Sequence, residues 1–147
     1  MPIRCEIISQ DRFVYQGDVD IVILPGSEGE MGVLPNHSPL LTVLKYGIIT
    51  IRSHGEEDYF TVAGGIAEIE RDQVVILADA AENVAEIDVH RAASARKKAE
   101  DLLKSNKGFD EEPDSYLTMR AALRRSTLRL DAVNRYGKSK TRRKSGN

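Results

Sequence analysis

The chain has 147 residues, of which 41% are hydrophobic and 30% charged, with a formal net charge of -2, the profile of a soluble globular protein of one domain or of a small domain with an appendage. Its start, MPIRCEIISQ, lacks the charged flank and apolar run of a signal peptide, and no stretch approaches the ~20 apolar residues of a membrane-spanning helix, so a cytoplasmic-type chain is expected. One cysteine, Cys5, excludes an internal disulfide and any multi-cysteine metal site, and in a predicted strand it reads as a small buried hydrophobe.

The near-neutral charge hides a division. Residues 1–84 carry 5 Lys and Arg against 14 Asp and Glu, net -9, whereas residues 85–147 carry 16 against 9, net +7. Halves so different point to separate partners or to attraction between the parts.

From Ile3 to Asp79 the chain runs as short Val- and Ile-rich segments punctuated by turn residues. Val19–Leu24 stops at Pro25-Gly26, Gly47–Arg52 stops at Ser53–Glu56, and Gln73–Leu77 follows Glu70-Arg71-Asp72. Turn signals every ~8–12 residues predict an all-β sandwich or barrel, with a hairpin loop at Ser53–Glu57 and a tight turn at Arg71-Asp72.

Within this region Gly29–Leu41 reads GEMGVLPNHSPLL. Two glycines and two prolines predict a rigid, shaped turn: Gly29 and Gly32 permit it, Pro35 and Pro39 set its path, and Val33, Leu34, Leu40 and Leu41 anchor it in the sheet. His37 beside Ser38 raises a nucleophile-and-base alternative, yet no Gly-x-Ser-x-Gly elbow, phosphate loop or metal-spaced histidine cluster accompanies the pair.

After Ala80-Ala81-Glu82 the chain turns to Ala, Lys, Arg, Glu and Leu. Asp88 is placed to cap a first helix whose Ala92, Ala95, Ala99, Leu102 and Leu103 form a narrow apolar seam. Ser105–Ser115, with Gly108 and Pro113, reads as an acidic linker. A second helix is predicted from about Tyr116 to Arg135, its seam made of Tyr116, Met119, Leu123, Leu130 and Val133, with Ser126-Thr127 as a weak spot. The two form an antiparallel hairpin of little buried area, hence marginal alone. The domains are thus residues 1–84, a β-sandwich, residues 85–136, a helical hairpin, and residues 137–147, a basic tail without a core-forming residue that reads as disordered.

Three separated motifs, collinear from about Ile3 to Val133, resemble the epsilon-subunit family of the bacterial rotary F-type ATP synthases. Gly29–Leu40 is similar to a Gly-x-Gly-x-Leu-Pro-x-His-x-Pro-Leu signature, Thr61–Ile69 (TVAGGIAEI) to a Val-x-Gly-Gly-x-x-Glu-Val strand pair, and Val75–Glu82 to the exit from sandwich to helices. The long acidic linker and the basic tail depart from that pattern. The resemblance implies a sandwich of two five-stranded sheets clamped on a central gamma shaft and resting on the c-subunit ring, with a C-terminal antiparallel helical hairpin beside it. It further implies a non-catalytic rotor subunit that couples proton flow to ATP synthesis, with helices that extend toward the alpha and beta catalytic subunits to inhibit ATP hydrolysis. Its location would be peripheral, on the cytoplasmic face of the bacterial membrane.

The resemblance also carries site expectations. Glu30, Met31 and His37 would lie near the c ring. Ile87-Asp88-Val89-His90-Arg91-Ala92 matches an Ile-Asp-x-x-Arg-Ala motif that binds ATP in some members, so Ile87, Asp88, Arg91, Lys98, Arg125 and Arg129 form a nucleotide-site candidate; no cofactor is otherwise required and no metal site is expected. Facing cations repel unless an anion such as a triphosphate lies between them, although Lys98 stands where the family has Arg, and solvated charges are the alternative. Arg120, Arg124, Arg125 and Arg129 would contact catalytic subunits in an extended state. A runner-up of another class uses Lys138, Lys140, Arg142, Arg143 and Lys144 to bind nucleic acid or an anionic membrane.

Overall fold

The computed structural model describes residues 1–10, 12–105 and 113–137. They form two compact units divided between Val84 and Ala85.

The first unit is all β, with strands β1 (Ile3–Ser9), β2 (Arg12–Val19), β3 (Ile21–Gly26), β4 (Gly29–Val33), β5 (Leu40–Ser53), β6 (Glu56–Ile69), β7 (Gln73–Ala78) and β8 (Ala81–Asn83). They hydrogen-bond in the order β2-β1-β7-β6-β5-β3-β4, with β8 on β6. β5 and β6 are each 14 residues long and serve both layers. Leu40–Leu44 and Gly65–Ile69 complete a five-stranded sheet with β7, β1 and β2. Tyr46–Ser53 and Glu56–Val62 complete a second with β3, β4 and β8. This is the expected pair of five-stranded sheets, built from eight strands.

The motif TVAGGIAEI, read as a strand pair, is one continuous strand turning a corner. Gly64 (φ 86°) and Gly65 (φ 135°) make the turn. A Cβ on Gly65 would sit 2.3 Å from the Leu77 carbonyl oxygen, so no side chain fits there. Inward residues of both sheets then meet in one core: Ile3, Cys5, Ile7, Ile69, Val74 and Ile76 from one, Val22, Leu24, Ile49, Ile51, Phe60 and Val62 from the other. The Tyr15 ring meets Phe60 edge to face at 5.4 Å. The hairpin loop closes as a two-residue turn with His54 and Gly55 both at positive φ, the geometry whose twist suits a hairpin. The Glu70 N–H donates to the Gln73 carbonyl at 2.8 Å across the Arg71-Asp72 turn.

The second unit holds α1 (Val89–Ser105) and α2 (Pro113–Tyr136), packed on each other. α2 starts three residues before the expected Tyr116, because proline lacks the N–H that the first helical turn cannot pair anyway. Gly108 and the rest of the inter-helix segment lie outside the described residues, as does the tail beyond Gly137.

The seams are phased differently from the expectation. Ala92 and Ala99 are buried, but Ala95 and Leu102 are exposed and Arg96 and Leu103 are half-buried in their place. Spacings of three and four allow either phase once Ala92 and Ala99 are shared, and sequence periodicity cannot separate them. The Arg96 guanidinium pairs with Glu100 at 3.1 Å while its stem covers apolar surface. On α2, Tyr116 is exposed, with Arg120 over its ring at 5.8 Å, whereas Ser126 is 2% exposed and its hydroxyl donates to the Leu123 carbonyl at 3.0 Å. The supposed weak spot is a buried position of α2. A small side chain that satisfies its own hydroxyl locally suits close helix packing.

Candidate functional site

The loop Gly29–Leu41 is tied down differently from the sequence expectation. Gly29 has φ 131°, as a glycine-dependent turn requires, but Gly32 lies in the regular ladder of β4 opposite Ile23. Of the four expected anchors only Val33 is buried; Leu34, Leu40 and Leu41 are exposed. The loop is held instead by its backbone: the Asn36 N–H donates to the Arg71 carbonyl at 2.8 Å, and Asn36 itself takes φ 68°. The His37 Nδ1–H donates to the Ser38 backbone carbonyl at 2.6 Å, an acceptor that assigns the proton to Nδ1. The imidazole therefore orders the loop and is not directed at the Ser38 hydroxyl. Glu30 is exposed on the edge strand β4, and Met31 beside it packs on the core.

The helical candidates lie apart in role. Asp88 caps α1, its Oδ1 accepting the Arg91 backbone N–H at 3.1 Å, and so is committed to the helix end rather than to an Arg91 guanidinium pair. Ile87 is buried and Arg91 exposed. Lys98 borders an open depression of about 380 Å³ with Ser94, Lys97, Asp101 and Leu102. On α2, Arg120, Arg124 and Arg125 are exposed and Arg129 half-buried. Among the described residues no group of His, Cys, Asp and Glu could hold a metal ion. Cys5, inside the sandwich, has its thiol pushed up to about 12, first by burial and then by Glu6, so it is no nucleophile at neutral pH.

A further surface was not read from the motifs. Cross-strand register places Val43, Ile66, Leu77, Ile8 and Phe13 side by side on β5, β6, β7, β1 and β2. They face outward: Val43 is 58% exposed, Leu77 46% and Phe13 59%, and Leu41, two residues from Val43, is 66% exposed. Four steps of ~4.8 Å make this an apolar row ~19 Å long across the outer face of one sheet. A sheet with one wet face alternates apolar and polar residues. The signal was present in the runs Ile7-Ile8 and Val75-Ile76-Leu77, which break that alternation.

Two family sequence models together span almost the whole chain. The ATP synthase Delta/Epsilon chain β-sandwich domain matches residues 2–84, and the ATP synthase Delta/Epsilon chain long α-helix domain matches residues 85–134. The chain belongs to the ATP synthase delta/epsilon family. Among its relatives is the ATP synthase epsilon chain of Halalkalibacterium halodurans, 40% identical over 133 residues that cover 90% of this chain and 98% of that one. The ATP synthase epsilon chain of Nitrosococcus oceani is 34% identical over 94% of this chain and 96% of its own length. A chain in the cryo-EM structure of the Euglena gracilis mitochondrial ATP synthase, which includes its c-ring, superposes with a TM-score of 0.67 at 27% identity, over 84% of this chain and 76% of that one. A chain of the Tetrahymena thermophila central stalk and c-ring assembly shares the fold, with a TM-score of 0.53 at 18% identity over 88% of this chain and 93% of that one. The role of this epsilon-type chain is that of the epsilon subunit of a rotary ATP synthase, a membrane-bound complex. Among the described residues no helix is long and apolar enough to cross a membrane.

Proposed function

We propose that the β-sandwich docks this subunit on the rotor, its apolar outer face against the gamma shaft and its Gly29–Leu41 loop, with Glu30, Met31 and His37, toward the c ring. The observation that carries this reading is the outward row Val43, Ile66, Leu77, Ile8 and Phe13, in which Ile8 is half-buried and the other four are exposed in the chain alone. A contiguous apolar surface of this size marks an interaction site, and a rotor subunit must grip what it turns with. The subunit performs no covalent chemistry; it joins the shaft to the proton-driven ring on the cytoplasmic face of the bacterial membrane. Leu77→Asp, at an exposed position that leaves the core intact, is expected to weaken binding to the complex depleted of this subunit. Undiminished binding would sink the docking reading.

The helical unit, residues 85–136, regulates. Its cations Arg120, Arg124, Arg125 and Arg129 suit an acidic surface of the alpha and beta subunits when the helices extend, and truncation after Ser115 is expected to raise ATP hydrolysis by the assembled complex. ATP held by Ile87, Asp88, Arg91, Lys98, Arg125 and Arg129 would favour the compact form by ~2.7 kcal/mol at a hundredfold excess over Kd. Absence of calorimetric heat at millimolar ATP, in the parent chain and in Arg125→Ala alike, would remove the nucleotide.

A further inference from the structure

Glu68 stands on the same outer face as the apolar row. The ladder sets Leu41 beside it on β5 and Val75 beside it on β7, with Val43 and Leu77 on diagonals, Ile66 two residues back on β6 and Glu70 two residues on, just past the end of β6. None of these neighbours is a cation, and among the described residues Glu68 makes no ion pair or side-chain hydrogen bond. Other polar groups of this sheet are engaged with each other. Glu6 accepts from Gln16 Nε2 at 3.0 Å and lies 3.9 Å from Arg4, Asp18 lies 3.7 Å from Arg4, and Glu70 accepts from Gln73 Nε2 at 3.2 Å. Glu6, beside Val75 on its other flank, is thus engaged, whereas Glu68 projects a carboxylate that has no such partner among the described residues beside Leu41, Val43, Val75 and Leu77.

In water such a carboxylate is harmless. Once a partner covers Leu41, Val43 and Leu77, water is stripped from Glu68, and an ion removed from water without a counterion is strongly unfavourable. The nearby Glu70 adds negative potential while Glu6 is offset by Arg4, so a positive group on the covering surface is the complement of Glu68 here. We propose that Glu68 is the charge anchor of the docking face, pairing with an Arg or Lys of the shaft subunit and thereby fixing the register in which the apolar row is covered. The proposal rests on the docking reading above, and it adds a specificity element that an apolar row cannot supply, since hydrophobic contact is non-directional.

The test titrates full-length Glu68→Gln, Glu68→Lys, Leu77→Asp and, as a control acid in a turn, Glu28→Gln against the complex depleted of this subunit, at low and high salt. Glu68→Gln is expected to weaken binding at least ~10-fold and to flatten its salt dependence, Glu68→Lys to weaken it further, and Glu28→Gln to bind like the parent. If Glu68→Gln binds as tightly as the parent or tighter while Leu77→Asp is impaired, the anchor is overturned and the docking face stands. If Leu77→Asp also binds normally, the docking reading fails and the anchor with it. All three positions are exposed, so an unchanged thermal midpoint for each of the four variants separates binding from folding.

Discussion

The two units of this chain bury different things. In the sandwich the fully buried side chains include many large ones, among them Phe60, Leu24 and the isoleucines at 3, 7, 49, 51, 69 and 76. Among the described residues of the helical unit, those buried beyond Ile87 are Ala92, Ala99, Ser126 and Ala132. Burial of apolar area is the chief source of stability, at ~25 cal/mol per Å², so the sandwich holds its shape by its own core. The helices have caps, local ion pairs and close packing, but little area. A rigid sandwich and a helical element of lower expected opening energy in one chain suit the proposed roles of gripping a rotor and changing form.

Native-state hydrogen exchange is the direct measure of that difference: amides of β5 and β6 are expected to exchange only through global unfolding, those of α1 and α2 at lower free energy. Equal protection in both units would break the comparison. Of single changes, Phe60→Ala in the sandwich should be among the largest, ~3–5 kcal/mol in denaturant unfolding, from lost transfer energy plus a cavity. Gly65→Ala should cost more than the ~1–3 kcal/mol of backbone strain alone, because its Cβ would meet the Leu77 carbonyl rather than a movable side chain.

Alkaline pH probes the same core. The Cys5 thiol ionises near 9.0 when free and at about 12 in the folded chain, because burial disfavours the thiolate. The native state therefore keeps its proton longer, so this contribution is whole below pH ~9 and is lost as pH rises toward 12. Burial also raises Tyr15, which acts in the same direction. Denaturation midpoints should fall over that range, and Cys5→Ala should remove part of the slope whatever it does to the baseline.

Smaller effects belong to the helices. Ser126→Leu is expected to cost ~1–3 kcal/mol by overpacking, seen as faster exchange in α1 and α2 with the sandwich unaffected. Asp88→Ala should cost ~1 kcal/mol through loss of the cap on the Arg91 N–H, fraying the start of α1. Ser126→Ala should stay within ~0.5 kcal/mol, because its hydroxyl is satisfied only within its own helix turn; a large loss would mean that the polar group, not the size, matters there.

Much of the architecture was legible from the chain alone, and for local reasons. Turn residues such as His54-Gly55 and Arg71-Asp72 mark where strands end, a change to Ala, Lys and Glu marks where helices begin, and three motifs in order carry the family. Those features depend on a few adjacent residues, whose backbone preferences act without knowledge of the fold. Tertiary structure decided the rest. It chose between two equally spaced seams on α1, leaving Ala95 exposed, and it buried Ser126 where sequence alone marked a weakness. It made one bent strand of TVAGGIAEI, and it left Leu34, Leu40 and Leu41 outside the core that their apolarity suggested. Above all it lined up Val43, Ile66, Leu77, Ile8 and Phe13, which span most of the sandwich sequence and become neighbours only through cross-strand register. Register is set by pairing between distant segments, so runs such as Ile7-Ile8 and Val75-Ile76-Leu77 could mark broken alternation locally, but not that these residues and Glu68 share one face.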